Sequence, residues 1–314
     1  MMLKQVIDLY ELLDSPNAGS EAIKQYLIST GKCDIETEKL FGEKGSTEHI
    51  KVTIAGHDGR SKGGQSPTLG IIGRLGGLGA RPEITGFVSD GDGALAALAA
   101  AAKLARMASL GDHLAGDIIV TTHICPDAPI RPHDPVPMMS SHVSHDKINA
   151  VEIVPEMEAI LSIDTTKGNR IINTRGFAVS PTIKDGYIVK VSDDILDIMS
   201  AVTGRLPQVF AVSQQDITPY GNDLKHINSI FQPAIMTSAP VVGVAITTEV
   251  AVAGCATGAT HLVDVEAVSR FAVEVAKGFT GGNCQFYDRE EFARMTALYG
   301  DMTRFQSVEG SPRK

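Results

Sequence analysis

Two aspartates set two residues apart, Asp90 and Asp92, stand in VSDGDGALAALAAAAKLARM, between an apolar run and an alanine-rich one. Carboxylates at such a junction can hold a divalent cation or move a proton. They can equally cap the following helix and favour its positive end. The same kind of junction recurs along the chain. HIKVTIA, His49 to Ala55, runs into Gly56-His57-Asp58; GDIIVTT, Gly116 to Thr122, runs into His123; AILSI, Ala159 to Ile163, runs into Asp164. Polar residues often end strands, so each junction alone carries little. If the strands are parallel their ends share one sheet edge, and His57, Asp90, His123 and Asp164 could converge there. Imidazole and carboxylate together suit zinc or a similar divalent ion.

The elements that must position these groups are legible as patterns. Glu83 to Val88, with apolar Ile84, Phe87 and Val88, reads as a buried strand leading into the Asp90 turn. Ala94 to Met107 has no Pro or Gly and is rich in the best helix formers; its small side chains let it lie close on a sheet. Upstream, Leu3–Leu13 and Ser20–Leu27 read as helices, Cys33–Ser46 as a polar loop and His49–Ala55 as a strand. Arg60–Pro82 is a glycine-rich insertion holding one apolar piece, Leu69–Ile72. Five prolines between Cys125 and Pro137 exclude long regular structure. Then come a helix (Asp146–Val154), a strand (Ala159–Ile163) and two weaker strands (Arg170–Ala178, Gly186–Val191). A helix (Asp193–Thr203), a strand (Gln208–Val212), a helix (Asp223–Phe231) and a strand (Pro240–Ile246) follow. Helices Val263–Phe279 and Glu290–Tyr299 close the pattern. Strands alternating with helices imply a parallel or mixed sheet covered on both faces, in a single α/β domain spanning residues 1–314.

Composition removes several classes of function. A formal charge of -9 gives no electrostatic case for nucleic-acid binding. No apolar run approaches the roughly 20 residues of a membrane span. The N-terminus has no signal-peptide layout, and Cys33, Cys125, Cys255 and Cys284 show no CxxC spacing, so a reduced, cytoplasmic protein is expected.

Three weaker motifs remain. Gly73-Arg74-Leu75-Gly76-Gly77-Leu78-Gly79 could wrap a phosphate, but it lacks the Walker Lys-Ser/Thr; a mobile or subunit-contacting loop is the simpler reading. His133, His142 and His145, near Asp134 and Asp146, could gather round an ion or be ordinary loop histidines. Cys255, in GCATG, could be a nucleophile at a turn, though a buried inert thiol is the commoner case.

Two resemblances follow from these stretches. GIIGRLGGLG and TTHICPDAP resemble a bacterial family, domain of unknown function 1177, which brings no activity with it. The wider pattern resembles the co-catalytic di-zinc aminopeptidase and deacylase superfamily, the tetrahedral aminopeptidases in particular. IAGHD, VSDGDGALAA, ILSIDTT and Tyr220-Gly221-Asn222-Asp223 resemble its successive motifs, and Pro240 to Phe279 its last strand, loop and helix. The resemblance implies a three-layer α/β sandwich with a mixed, mostly parallel sheet of the zinc-peptidase kind (phosphorylase/hydrolase-like). It also implies a divalent metal, zinc first, on His57, Asp90, His123, Asp164 and His261, with Asp90 bridging. The departures are specific. Thr121 to Cys125 lacks the superfamily's paired glutamates, His57-Asp58 is shortened, His261 comes late, and the insertion domain is absent or reduced to Arg60–Pro82.

The expected function is therefore a metal-dependent hydrolase of an amide or peptide-like bond, its base supplied by Asp58, Asp92, Asp127 or His123. The alternative is a non-catalytic relative that binds a peptide or small molecule in an assembly. A nucleotide-binding enzyme using the glycine loop is a distant third. A peptide or small-molecule substrate and a homo-oligomer that buries Leu69–Leu78 between subunits complete the expectations.

Overall fold

The computed structural model describes residues 2–74, 78–79, 86–227 and 229–307. Helices α1 (Leu3–Asp14) and α2 (Ser20–Thr30) open the chain, followed by strands β1 (Asp34–Phe41), β2 (Ser46–Ile54) and β3 (Leu69–Gly73). A short 3-10 turn, Ser89–Gly91, leads into α3 (Asp92–Ser109), and β4 is Ile118–Ile124. Strands β5 (Ile130–Arg131) and β6 (Met138–Met139) form a small ladder, and α4 is His145–Glu152. β7 (Ala159–Thr165), β8 (Gly176–Lys184), β9 (Tyr187–Val189), α5 (Asp193–Thr203), β10 (Val241–Thr247), α6 (Leu262–Thr280) and α7 (Arg289–Tyr299) complete the order.

Eight strands form one mixed sheet in the order β1-β2-β4-β3-β7-β10-β8-β9. The central β4, β3, β7 and β10 are parallel, and the two flanking strands on each side are antiparallel. Such central strands are buried on both faces and read as continuous apolar runs. β4, β3 and β10 are buried along their whole length. One face packs on α3 and α6, with α1 lying on those two helices, and the other on α4 and the 3-10 segment Ser229–Ile235. Alanine lets α3 lie against the sheet: Ala94 to Ala102 are fully buried. Gly93 takes this furthest, since a Cβ there would sit 2.6 Å from the Ile163 carbonyl oxygen of β7.

Several expectations are corrected. Cys33–Ser46 is not a loop; its alternating DIETEKLF pairs as edge strand β1, whose outward charges disguise it. Phe87 and Val88 form no strand, and Glu83 and Ile84 of that expected strand lie outside the described residues. The strand preceding α3 is β3, inside the segment read as an insertion and paired on both sides. Leu69 to Ile72 are thus buried by their own sheet, which removes burial between subunits as the reason for expecting assembly. Gln208–Val212 makes only a single bridge, Val209 to Val179. In place of a helix over Asp223–Phe231 there is a turn, with Asp223 at φ 60°, then the 3-10 segment containing Pro233, a residue no α-helix interior takes easily.

Candidate active site at the carboxyl edge of the sheet

A cavity of about 560 Å³ opens beyond the carboxyl ends of the parallel strands, where open α/β sheets bind ligands. Its lining includes Asp90, Asp164, Lys167, His145, Tyr220 and His226, with Met138 to Ser141 along one wall. A hollow of about 650 Å³ between β9 and α7 is larger, but its charges, such as Lys190 and Asp193, are exposed and it holds no buried ligand-type group.

Asp90 sits in the turn before α3. Its N–H donates to the Gly254 carbonyl at 2.8 Å, and its Oδ2 accepts from Met139 N–H at 3.3 Å. Neither Asp90 nor Asp92 caps α3; the cap residue is Gly91. Gly254 has to lack a side chain, because a Cβ there would lie 2.0 Å from Asp90 Oδ1. Asp164 ends β7 and accepts from Ser229 Oγ at 2.6 Å and Thr165 N–H at 2.8 Å. Burial, and then the charge of Asp164, push Asp90 up to about 7; burial pushes Asp164 up to about 6 against the Ser229 hydrogen bond. Two carboxylates held this way are stabilised by any cation placed between them. Asp92, at the start of α3, faces elsewhere: it pairs with Lys167 Nζ at 3.2 Å, and burial nevertheless pushes it up to about 7.

One wall of the cavity is aromatic. The rings of His145 and Tyr220 lie 5.1 Å apart and those of Tyr220 and His226 4.9 Å apart. Burial, then the charges of Arg74 and His123, push His145 down to about 4, so it is neutral, and its Nδ1 is buried without a hydrogen-bond partner. The tautomer of His226 follows from its partner. Thr218 Oγ1 spends its proton on the Gln215 carbonyl and accepts from Asn222, so His226 Nε2, at 3.1 Å, donates and Nδ1 is left as the basic nitrogen.

Behind the cavity lies a sealed polar row. His49 faces His123 in the β2–β4 register. The pair Ile72–Thr121 carried two steps on, and Gly73–Ile163 carried one, put Arg74 between His123 and Asp164; Arg74 N–H donates to the Ile163 carbonyl at 2.7 Å. Glu152 of α4 closes over the row, accepting from Arg74 at 2.6 Å and lying 2.8 Å from His123 Nδ1. Burial works against the Glu152 carboxylate, but Arg74 and then His123 outweigh it and hold its pKa below the usual value. Burial pushes His49 down, and the Nε2 atoms of His49 and His123 are both buried without a partner.

Of the residues singled out in the sequence, the structure brings Asp90 and Asp164 to the cavity. His123 is near but fully enclosed by Glu152 and β2. His57 follows β2, which runs antiparallel to β4, so it lies beside Leu114 at the opposite edge, roughly 20 Å from His123 for a seven-residue strand. Asp58 is there too, holding Ser66 and Gln65 in a turn. His261 is exposed at the start of α6, 3.4 Å from Asp264, outside the cavity lining. Asp127 is exposed beside Cys125 and His142. Thus none of Asp58, Asp92 and Asp127 lines the cavity. Cys255 is buried near Val88 and Met139; burial, then Asp90, raise its pKa, the opposite of an activated nucleophile. The phosphate-loop reading rests on residues 75–77, outside the described ones.

Sequence reasoning missed Arg74, Glu152, His49, His145 as a cavity residue, and His226. The strand-end rule itself would have named Arg74, the first polar residue after LGIIG. Alternation in HIKVTI puts His49 on the polar face with Lys51 and Thr53. Nothing local marks Glu152.

The chain is an α/β protein built on a mixed eight-stranded sheet, and solved structures share that fold. The bottromycin maturation enzyme BotP aligns with a TM-score of 0.54 at 15% identity, covering 89% of this chain and 70% of that one. The Caenorhabditis elegans leucine aminopeptidase LAP1 aligns with a TM-score of 0.51 at 14% identity, covering 88% and 67%. BotP in complex with Mn aligns with a TM-score of 0.51 at 14% identity, covering 88% and 70%. At these identities the likeness is one of fold. The chain belongs to the family described as "Protein of unknown function (DUF1177)", which matches residues 38–309. No curated protein matches the sequence.

Proposed function

We propose that the protein is a metal-dependent hydrolase of an amide or peptide-like bond, working in the cavity beside Asp90 and Asp164. The observation that carries this reading is the pair itself: two carboxylates lining one cavity at the carboxyl edge, one lying over a glycine that leaves it room. By donor type the lining suits a divalent ion, although the donor atoms of Asp90, Asp164 and His145 do not all lie within 4.8 Å of one another and would have to draw in to hold it. Asp90 and Asp164 offer oxygens, and His145 offers a neutral, unpartnered imidazole nitrogen. This set suits zinc or manganese. Such an ion, when bound, polarises a carbonyl and lowers the pKa of water. The chain's own residues supply the rest. His226 Nδ1 takes the proton, Tyr220, kept protonated by burial and by the Asp164 charge, donates a hydrogen bond, and the 133–141 wall excludes water. The fold shared with a leucine aminopeptidase supports peptide-like substrates.

The test is metal content together with a panel of aminoacyl amides. Wild type is expected to take up an ion of zinc, manganese or cobalt that depends on Asp90 and to hydrolyse one of the amides. Asp90→Asn should lose the ion while keeping its circular dichroism, and His226→Gln should keep the ion and lose turnover. Wild type that binds no such ion at neutral pH would end this reading.

One observation favours a second reading, a non-catalytic peptide or small-molecule binder. Glu152 is already held by Arg74 and His123, and among the described residues no glutamate lines the cavity to serve as base. Saturable binding of an amino-acid amide with no turnover in the metal-loaded protein would establish it.

A further inference from the structure

A second cluster of ligand-type side chains lies outside the cavity, at the base of the proline-rich excursion between β4 and α4. Cys125 and Asp127 stand where the excursion leaves β4, and His142 stands where it returns. Among the described residues these are the one set of three whose donor atoms lie within 4.8 Å of one another. The carboxylate shows one oxygen to each neighbour: Cys125 Sγ is 3.5 Å from Oδ1 and His142 Nε2 is 3.6 Å from Oδ2. A tetrahedral zinc-type ion, with bonds of about 2.3 Å to sulfur, 2.1 Å to nitrogen and 2.0 Å to oxygen, has ligand edges of roughly 3.5 Å for S···O and 3.3 Å for N···O. The observed distances are of that size but run to the two different carboxylate oxygens, so one oxygen has to turn toward the ion to meet both edges.

The β1–β2 turn provides a seat for the imidazole. A Cβ on Gly45 would lie 2.6 Å from the His142 ring, and one on Gly42 would lie 1.7 Å from the His142 carbonyl oxygen. Two bare backbone positions therefore hold His142 from behind. The Cys125 thiol is buried, while Asp127 opens to solvent, with 63% of its side chain exposed. An ion can enter from that side and keep water in its fourth position.

We propose that Cys125, Asp127 and His142 form a binding site for a thiophilic divalent cation of the zinc class, distinct from the cavity. Uptake is balanced: the thiol releases one proton to solvent, and His142 Nε2 gives up its 3.0 Å bond to the Asp127 carbonyl as its proton moves to Nδ1. Thiolate and carboxylate then neutralise the dication. The bound ion ties the two ends of the excursion together. Because Met138 to Ser141 wall the cavity, it fixes that wall as well.

Cobalt titration of the metal-free full chain tests this, since a thiolate ligand gives cobalt a near-ultraviolet charge-transfer band. Wild type is expected to develop the band at one equivalent and to lose it when zinc is added. Cys125→Ser and His142→Ala should abolish it. Cys125 is buried, so Asp127→Asn, at the surface, supplies a variant whose folding is not at issue; it should weaken cobalt binding by about tenfold or more. Asp90→Asn should leave the band unchanged, which separates this site from the cavity whether or not the cavity binds metal. Absence of the band in wild type, or its survival in Cys125→Ser or undiminished in Asp127→Asn, would overturn the proposal.

Discussion

Glu152 carries two partners at once, Arg74 on one oxygen and His123 on the other, and both side chains of the Arg74–Glu152 pair are essentially enclosed. A buried pair of this kind contributes little net stability, but removing one member leaves the other charge stranded. Arg74→Met is expected to cost about 3–5 kcal/mol in urea unfolding, while Arg74→Met combined with Glu152→Gln recovers much of that loss. Additive losses would show that the pair is not the coupled unit described. His145 gives a pH-dependent test. It is pushed down to about 4, whereas an unfolded imidazole takes its proton near pH 6.5. Between these values the unfolded chain binds the extra proton, so this contribution to stability falls as pH falls. The wild-type melting temperature should therefore lose ground to that of His145→Gln as pH drops from about 7.5 to about 5; a constant gap would contradict it. At this scale the sequence singled out Asp90 and Asp164, because each follows an apolar run, although only the run before Asp164 is a strand. It concealed Glu152, because that residue acquires its partners only when α4 folds over the sheet from outside. His57 misled because the strand-end rule carries no direction: β2 exits at the opposite edge.

The helices were the most readable elements because their signals are local. Ser192 and Asp288 accept from backbone N–H groups at the starts of α5 and α7, and alanine dominates α3. Strands depend on neighbours distant in sequence. β1 shows acids to solvent and reads as a loop, and Phe87 and Val88 are buried by side-chain packing rather than by strand pairing: Phe87 sits edge-on to Tyr10 at 5.1 Å. β3 is five residues long, with a glycine second and last, yet it lies at the sheet's centre. α3 meets β7 closely at Gly93, where an added Cβ would lie 2.6 Å from the Ile163 carbonyl oxygen. Gly93→Ala pushes a methyl into backbone that cannot yield easily, and we expect a loss of about 1–3 kcal/mol, read as a lower denaturation midpoint at unchanged slope. An unchanged midpoint would mean that α3 can slide.

For the molecule as a whole, the two sheet edges differ. β9 is short and packs Tyr187 on Phe292 of α7, while β1 presents Glu36, Thr37, Glu38 and Lys39 to solvent. Charges on an open edge oppose strand addition by another chain. Replacing Glu36 and Glu38 with valine should produce species larger than those of wild type in sedimentation, and an unchanged profile would show that the edge needs no such protection. The sheet order also has a consequence in time. β3 is synthesised before either of the strands that flank it, and its two partners, β4 and β7, come in different later stretches. A chain emerging amino end first carries LGIIG with both backbone edges open until Ile118–Ile124 arrives, and with one still open until Ala159–Thr165. Pairings between such distant stretches form slowly. The newborn chain thus has a sticky interval in its middle, when a helper that shields apolar strands would raise the yield of folded protein.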